Sequence, residues 1–398
     1  MFARAPRILV FAVAIIVLFG NRAAAQDFRS VHDGVEYAEV TRDLNGKMVK
    51  VNLLRLDLKK VRIDVAHALD SAIGTEKTSS IATRHGAVAA INAGFFRLDK
   101  SIWAGDAAGV LKIDGELLSE SVNGRIALGI ARKNKRSTVV FGNVWSSVHL
   151  FYYPDKSMAI DGVNREPKPN EIILYTRGMA TPLTTNQHIE LALRNCGKSR
   201  SIASCSIATI GETSGGTVVP ENAYVVYFGS DSDKKYEIDF LRGIATGKLK
   251  SPMGILRRLA RTNKGIDPEF ENAEDVVAGV PQLIRNGKID VTWQLEKSSK
   301  SFVETRHPRT AVAKLKDGKF LMITVDGRTE QSGGIGLDDL AAYLLELGAT
   351  DAMNLDGGGS TTMFLDGKVV NHPSDKEGER KVSDAIVVTL RQKARRAR

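Results

Sequence analysis

Phe320-Leu321-Met322-Ile323-Thr324-Val325-Asp326-Gly327-Arg328 and Ala352-Met353-Asn354-Leu355-Asp356-Gly357-Gly358-Gly359-Ser360 decide how this chain folds. Each opens as an apolar run and breaks at Asp-Gly, as a buried strand does when it reaches a turn. Between them Leu337, Leu340, Ala341, Leu344 and Leu345 recur at i, i+3, i+4, i+7 and i+8, the stripe of an amphipathic helix, and Gly348 follows as a C-cap. Strand, helix, strand predicts a βαβ crossover with two parallel strands. Asp326 and Asp356 then lie just past two C-terminal strand ends, the edge where open α/β sheets place ligands.

Working outward, Asp114-Gly115, Asn286-Gly287, Asp317-Gly318 and Asp366-Gly367 sit between alternating apolar runs and predict hairpins. Residues 28–69 read as further strands, Ser79 to His85 as a short helix, and Val88 to Asn92 as a compact strand. In the less legible middle, Ile172 to Tyr175 and Val225 to Gly229 read as strands, Ile255 to Thr262 as a helix, and the acidic stretch Asp267 to Asp275 as a surface loop. The expected fold class is α+β: a mixed sheet rich in antiparallel hairpins with at least one βαβ crossover. The expected organisation is a signal peptide (1–25), an N-terminal β segment (26–83), a single large catalytic domain (84–390) and a basic tail (391–398).

The 398 residues are 43% hydrophobic and 26% charged, a globular balance with ample length for a large core. The formal charge of +10 sits mostly at the two ends: Arg4, Arg7 and Arg22, then five cations from Arg391 to Arg398. The near-balanced body lacks the basic face of a nucleic-acid binder. Arg4 and Arg7, the apolar run Ile8 to Phe19, and Ala23-Ala24-Ala25 before Gln26 form a secretory signal with cleavage after Ala25. The apolar run is too short for a stable membrane span, so the mature protein is expected to be secreted or periplasmic. Cys196 and Cys205 are then expected to pair, closing a small polar loop.

The glycine run after Asp356 allows close backbone approach and can turn successive N–H groups toward an anion. It is no Walker loop, because the Lys-Ser/Thr ending is missing. Arg309 and Arg328 have the planar fork that grips phosphate in bidentate fashion, and each reads equally well as a structural or solvated arginine. His307, beside a proline, reads more readily as structural. Asn92, at a strand end before Gly94, can offer its amide to a sugar hydroxyl or simply form a turn. Glu379 and Arg380 precede the last strand, and a salt-bridged loop accounts for them equally well.

Taken in order, Asn92-Ala93-Gly94-Phe95-Phe96, Gly162-Val163-Asn164, Gly279-Val280-Pro281-Gln282-Leu283, His307-Pro308-Arg309-Thr310-Ala311, Val325-Asp326-Gly327-Arg328, Asn354 to Met363 and Asn371-His372-Pro373-Ser374-Asp375 give a set that resembles the phosphodiester glycosidase family. The resemblance covers roughly residues 84–390 and implies hydrolysis of a sugar phosphodiester at the anomeric carbon. Two departures stand out. His372 replaces the arginine of the family's Asn-Arg-Pro-Ser-Asp pattern, and the polar segment 187–275 reads as an insert.

On this reading Asp326 and Asp356 are the catalytic carboxylates. Asn92, Arg309, Thr310, Arg328, Asn354, Gly357, Gly358, Gly359, Ser360 and Thr361 hold substrate, and His307, Glu379 and Arg380 are further candidates. No metal-ligand spacing of Cys and His is present and no cofactor is implied, although the oxygen-rich set would accept Ca²⁺ or Mg²⁺. The expected substrate is a cell-envelope or extracellular glycan. The competing readings are a non-catalytic binder of phosphorylated envelope polysaccharide and an ordinary O-glycoside hydrolase.

Overall fold

A computed structural model describes residues 26–391 apart from 135, 154–155, 185–186, 198–200, 230–232, 250 and 262–264. The expected signal peptide, and the basic tail beyond Arg391, lie outside the described residues. The described chain is mainly β, with five sheets and short helices.

An eight-stranded sheet carries the deciding stretch. Its strands run in the order 29–32, 35–43, 48–56, 320–325, 309–315, 349–354, 282–285, 288–289, and every neighbouring pair is antiparallel. Strands 320–325 and 349–354 do point the same way, because each is antiparallel to 309–315. They are not neighbours: 309–315 lies between them. The helix Leu337–Glu346 thus connects two strands that are parallel in direction, as expected, with a third strand set between them. Among the described residues the one parallel pairing joins 162–163 to 172–175.

The reason strand 320–325 lacks visible alternation is that both its faces are covered. Leu321, Ile323 and Val325 pack with Leu337, Leu340, Ala341 and Leu344 of the crossover helix Leu337–Glu346. Phe320 and Met322 face the other way, against Ile63, Val65, Ile91, Ile386 and Val388 of a second sheet. Full burial of each such side chain contributes about 1.5–3 kcal/mol, and Thr324 is the strand's one polar side chain, buried with the rest.

The second sheet orders its strands 368–369, 363–365, 89–92, 384–390, 61–67. Residues 26–83 are woven into both sheets, since 48–56 pairs with 320–325 and 61–67 with 384–390. The expected helix near Ser79 forms as Thr78–Arg84.

The middle of the chain forms another eight-stranded sheet, ordered 156–160, 145–153, 253–260, 202–213, 188–194, 224–228, 172–175, 162–163. Two expectations fail there. Met253–Ala260 is a strand paired with 145–153 and 202–205, not a helix. Its inward positions are Met253, Ile255, Arg257 and Leu259, and the buried arginine hid the two-residue period. The acidic stretch is not a loop: Asp267 caps helix Pro268–Asn272 through the Glu269 and Phe270 amides, and strand Asp275–Ala278 follows. Cys196 and Cys205 are bonded, with Cα atoms 4.2 Å apart at the end of the 188–194/202–213 hairpin.

Candidate active site

Because 320–325 and 349–354 run in the same direction, their ends deliver Asp326 and Asp356 to one edge of the sheet. The intervening strand begins at that edge, which brings His307, Pro308 and Arg309 there as well. Pro308 is the wedge between the two strand-end loops. A Cβ on Gly327 would sit 2.8 Å from the Pro308 nitrogen, and one on Gly357 2.7 Å from its carbonyl oxygen. Both Asp-Gly pairs therefore require glycine for close approach to Pro308.

The glycine loop is stitched internally. The Gly357 amide donates to Asp356 Oδ1 at 2.9 Å, and the Gly358 amide donates to the Pro308 carbonyl at 2.9 Å. These two amides are not turned toward a ligand, which corrects the expectation of an anion nest built from all three glycines. Gly358 has φ +61°, and a Cβ there would lie 3.2 Å from Arg328 Nη2. Gly359 is roofed by the ion pair of Arg380 with Asp375 (2.8 and 3.1 Å) and leaves no room for a side chain.

The Asp356 backbone is pinned from the second sheet. Its amide donates to the Ala93 carbonyl at 2.9 Å and its carbonyl accepts from Asn92 Nδ2 at 2.7 Å. Asn92 Oδ1 in turn accepts from Thr310 Oγ1 (2.8 Å) and the Thr362 amide (3.1 Å). Asn92 and Thr310 are fully buried and bonded to each other and to the framework, so they hold the loop and are not presented to a sugar. Asp356 as a whole residue is partly exposed, while its carboxyl is turned into the loop. Burial pushes it up to about 6, with the Asp384 charge adding to the rise and the Ser360 hydroxyl, the Gly357 amide and Arg380 opposing it.

Asp326 is buried and otherwise occupied. Its carboxylate accepts from the His372 amide at 3.1 and 3.2 Å and from Asn371 Nδ2 at 3.3 Å. Asn371 also donates to the Thr361 carbonyl and accepts from the Met363 amide, so Asp326 anchors the 371–372 segment to the glycine loop. Burial raises its proton affinity, and those donors counter the rise.

The two arginines part company. Arg309 is buried under the Phe302 ring, with Nη2 donating to the Phe302 and Thr305 carbonyls and Nε to the Ile335 carbonyl. Burial lowers its affinity for the proton to about 10. It ties 302–305 and 335 to the strand start and is not free to clamp a phosphate. Arg328 is exposed, adopts φ +60°, and sets Nη2 3.3 Å from His307 Nδ1 and beside Gly358. A left-handed arginine is strained, and such strain concentrates at functional positions.

Glu379 belongs elsewhere: it accepts from the Ser79 amide (2.7 Å) and hydroxyl (2.6 Å), holding the first turn of helix Thr78–Arg84. Asn354 Nδ2 donates to the Val280 carbonyl, while its Oδ1 and the hydroxyls of Thr361 and Thr362 are buried with no protein partner among the described residues. Asp384, unremarked in the sequence reading, is the carboxylate whose charge reaches Asp356. Among the described residues no group of three or more His, Cys, Asp and Glu side chains gathers as a metal set.

This edge is built from the segments that carry the sequence resemblance, and comparison with known proteins bears the resemblance out. Residues 202–389 match the phosphodiester glycosidase family. The match starts inside the segment read as an insert. Bovine N-acetylglucosamine-1-phosphodiester alpha-N-acetylglucosaminidase is 39% identical over 109 residues, which is 25% of this chain and 20% of that one. The match thus spans about a fifth of that relative's length. The fold is shared with a Synechocystis protein (TM-score 0.71, 21% identity, 92% of this chain and 63% of that one). It is also shared with a protein of Burkholderia pseudomallei K96243 (TM-score 0.67, 23% identity, 86% and 74%). In this family match the glycine loop, Asp356, Arg328 and Asp384 all fall inside the matched residues.

Proposed function

We propose that this chain is a hydrolase that cleaves a sugar-1-phosphodiester between the anomeric carbon and the phosphate oxygen. The observation that carries the reading is the Asp356 loop: a carboxyl held by burial near pKa 6 on a partly exposed residue, with the exposed Arg328 guanidinium against the adjacent Gly358. A carboxyl tuned close to the working pH suits proton transfer in the rate-limiting step.

In the proposed reaction, ionised Asp356 takes a proton from water as the water oxygen bonds to the anomeric carbon. The carbon–oxygen bond to phosphate breaks, and the phosphate monoester leaves with the bonding electrons. A phosphate is already a good leaving group, so the arginine matters more than a strong acid. Arg328 would hold the diester and meet the charge that grows on the departing oxygen. Asp326 acts through the loop it anchors, not on the substrate. The Cys196–Cys205 bond fits an oxidising compartment, and with the sequence signal at the N-terminus it supports action outside the cytoplasm on an envelope or extracellular glycan.

The test is a panel of glycose-1-phosphodiesters matched with phosphate-free glycosides of the same sugars. Turnover confined to the phosphodiesters is expected. Turnover of both sets alike would make the protein an ordinary glycoside hydrolase, and binding without turnover would make it a glycan-phosphate receptor.

A further inference from the structure

The segment that roofs the glycine loop carries a second guanidinium. Arg380 meets Asp375 through a fork, with Nε donating to Oδ2 at 2.8 Å and Nη2 to Oδ1 at 3.1 Å. A Cβ on Gly359 would overlap Arg380 Nη2 and both Asp375 oxygens, so the pair lies directly against that glycine. The preceding glycine stands in the same relation to the other arginine. A Cβ on Gly358 would sit 3.2 and 3.5 Å from the two terminal nitrogens of Arg328. Two guanidinium groups therefore lie against consecutive glycines of the loop that Asp356 opens.

Arg380 is seated independently of Asp375. Before it, Glu379 accepts from the Ser79 amide and hydroxyl at 2.7 and 2.6 Å, and after it Lys381 pairs with Lys77. Asp375 reaches the fork from a tight turn in which Gly378, at φ +82°, donates to the Asp375 carbonyl at 2.9 Å. The two side chains are 27% and 31% exposed, so a ligand can reach them from solvent. The oxygens that Asp375 offers to Nε and Nη2 are placed as two oxygens of a phosphate would be. A carboxylate of the chain thus fills a fork that fits a phosphate. Ion pairs open to solvent hold weakly, and an incoming anion can displace the carboxylate. The hydroxyls of Thr361 and Ser374, on the two segments that meet at the pair, are buried with no partner among the described residues.

Resting on the reaction proposed above, we propose that Arg380 is a second phosphate-binding residue and that Asp375 occupies its fork until the phosphodiester arrives. The substrate phosphate then lies over Gly358 and Gly359, between Arg328 and Arg380, and Asp375 gives up the guanidinium. The departing phosphate monoester carries more negative charge than the diester, so the second cation counts for more as the bond to the sugar breaks.

The experiment titrates inorganic phosphate into the whole protein by calorimetry, in wild type, Arg380→Gln, Arg380→Lys and Asp375→Asn, and measures kcat/KM of the same proteins on a glycose-1-phosphodiester. It cuts one ion pair from either end, and the two cuts should act in opposite directions. Arg380→Gln should weaken phosphate binding and lower kcat/KM, each by about 10- to 100-fold, the size of a lost charged hydrogen bond. Arg380→Lys, which keeps the charge without the fork, should recover only part of both. Asp375→Asn removes the competitor and leaves Arg380 seated, so phosphate should bind up to about fivefold more tightly, the strength of a solvent-open ion pair. If the pair only staples the turn to the glycine loop, both cuts break the same contact and weaken binding alike, and that result would overturn the proposal. So would wild-type phosphate affinity in Arg380→Gln, or no tightening in Asp375→Asn. Phosphate affinity is read without turnover, which separates the two claims. Opposite shifts in a protein that cleaves no sugar phosphodiester would keep the phosphate site and sink the reaction. Phosphodiester turnover and phosphate binding both untouched by Arg380→Gln would remove the site and leave the reaction standing.

Discussion

The loops that follow Val325-Asp326-Gly327 and Leu355-Asp356-Gly357 begin alike and do different work. Both leave strands that point the same way, and both glycines close on Pro308. In the first loop the carboxylate is buried and bound by the 371–372 segment, and the cation two residues on is the exposed group. In the second the backbone is bound, by Asn92 and Ala93, and the carboxylate accepts only from within its own loop, from the Gly357 amide. What separates them is the partner each side chain meets from a remote part of the chain. The same residue type after the same strand becomes an anchor in one loop and a reacting group in the other.

Replacing both aspartates sharpens this contrast most. Asp356→Asn should reduce turnover by about 10²- to 10⁴-fold, the usual contribution of a positioned acid or base, with little change in thermal midpoint. Asp326→Asn should do the reverse. Weakening a buried, multiply bonded carboxylate should cost about 1–3 kcal/mol in denaturant unfolding and a smaller share of activity. Equal losses of activity with unchanged stability would put both carboxylates in the chemistry and dissolve the distinction.

The arginines offer the next break. Arg309→Ala leaves three carbonyls without their donor and a void beneath Phe302, so about 2–4 kcal/mol of stability should go. Arg328→Ala should leave unfolding unchanged and lower kcat/KM by about 10- to 100-fold, the size of a lost charged hydrogen bond. Lysine should restore only part of it, lacking the planar fork. A kinetic defect without instability in Arg309→Ala would return that residue to the site.

How much of this was legible follows from range. The burial of 320–325 and the helix stripe at Leu337, Leu340, Ala341 and Leu344 are local patterns, and the structure repeats them. So are the hairpin turns, where Asp114, Asn286 and Asp366 take up left-handed φ before glycine. The wedge of 309–315 between two strands of one crossover is not local, because nothing in those residues states which strand they will pair with. Arg309 illustrates the cost. Its motif marks a charged group near the site, but the carbonyls that receive its donors come from 302, 305 and 335. Asp384 lacked a signal for the same reason: its carboxylate accepts from the Gly94 amide, some 290 residues away in sequence. Arg257 misled in a different way, since one inward charge disguised a strand as a helix.

A smaller effect separates the loops by pH. If Asp356 acts ionised, kcat/KM should fall about tenfold per unit below pH 6, as its carboxyl takes up a proton. Stability should respond in the opposite direction. Asp356 and the buried Asp275, raised to about 7, both have folded-state values above their unfolded ones. Their stabilising share is complete below about pH 4 and is lost as pH rises through 6 and 7. Thermal midpoints should therefore be lower at pH 8 than at pH 5. A midpoint that climbs across that window would mean neither carboxyl is held neutral by burial.

The central claim is that the Asp356 loop serves attack at the sugar carbon. Hydrolysis of a glycose-1-phosphodiester in oxygen-18 water reads this directly, with both products examined by mass spectrometry. Cleavage at the anomeric carbon places the label in the sugar and leaves the phosphate monoester unlabelled, and Asp356→Asn should abolish that incorporation. Label in the phosphate would mean attack at phosphorus, and the protein would be a phosphodiesterase working from a different arrangement of the same edge.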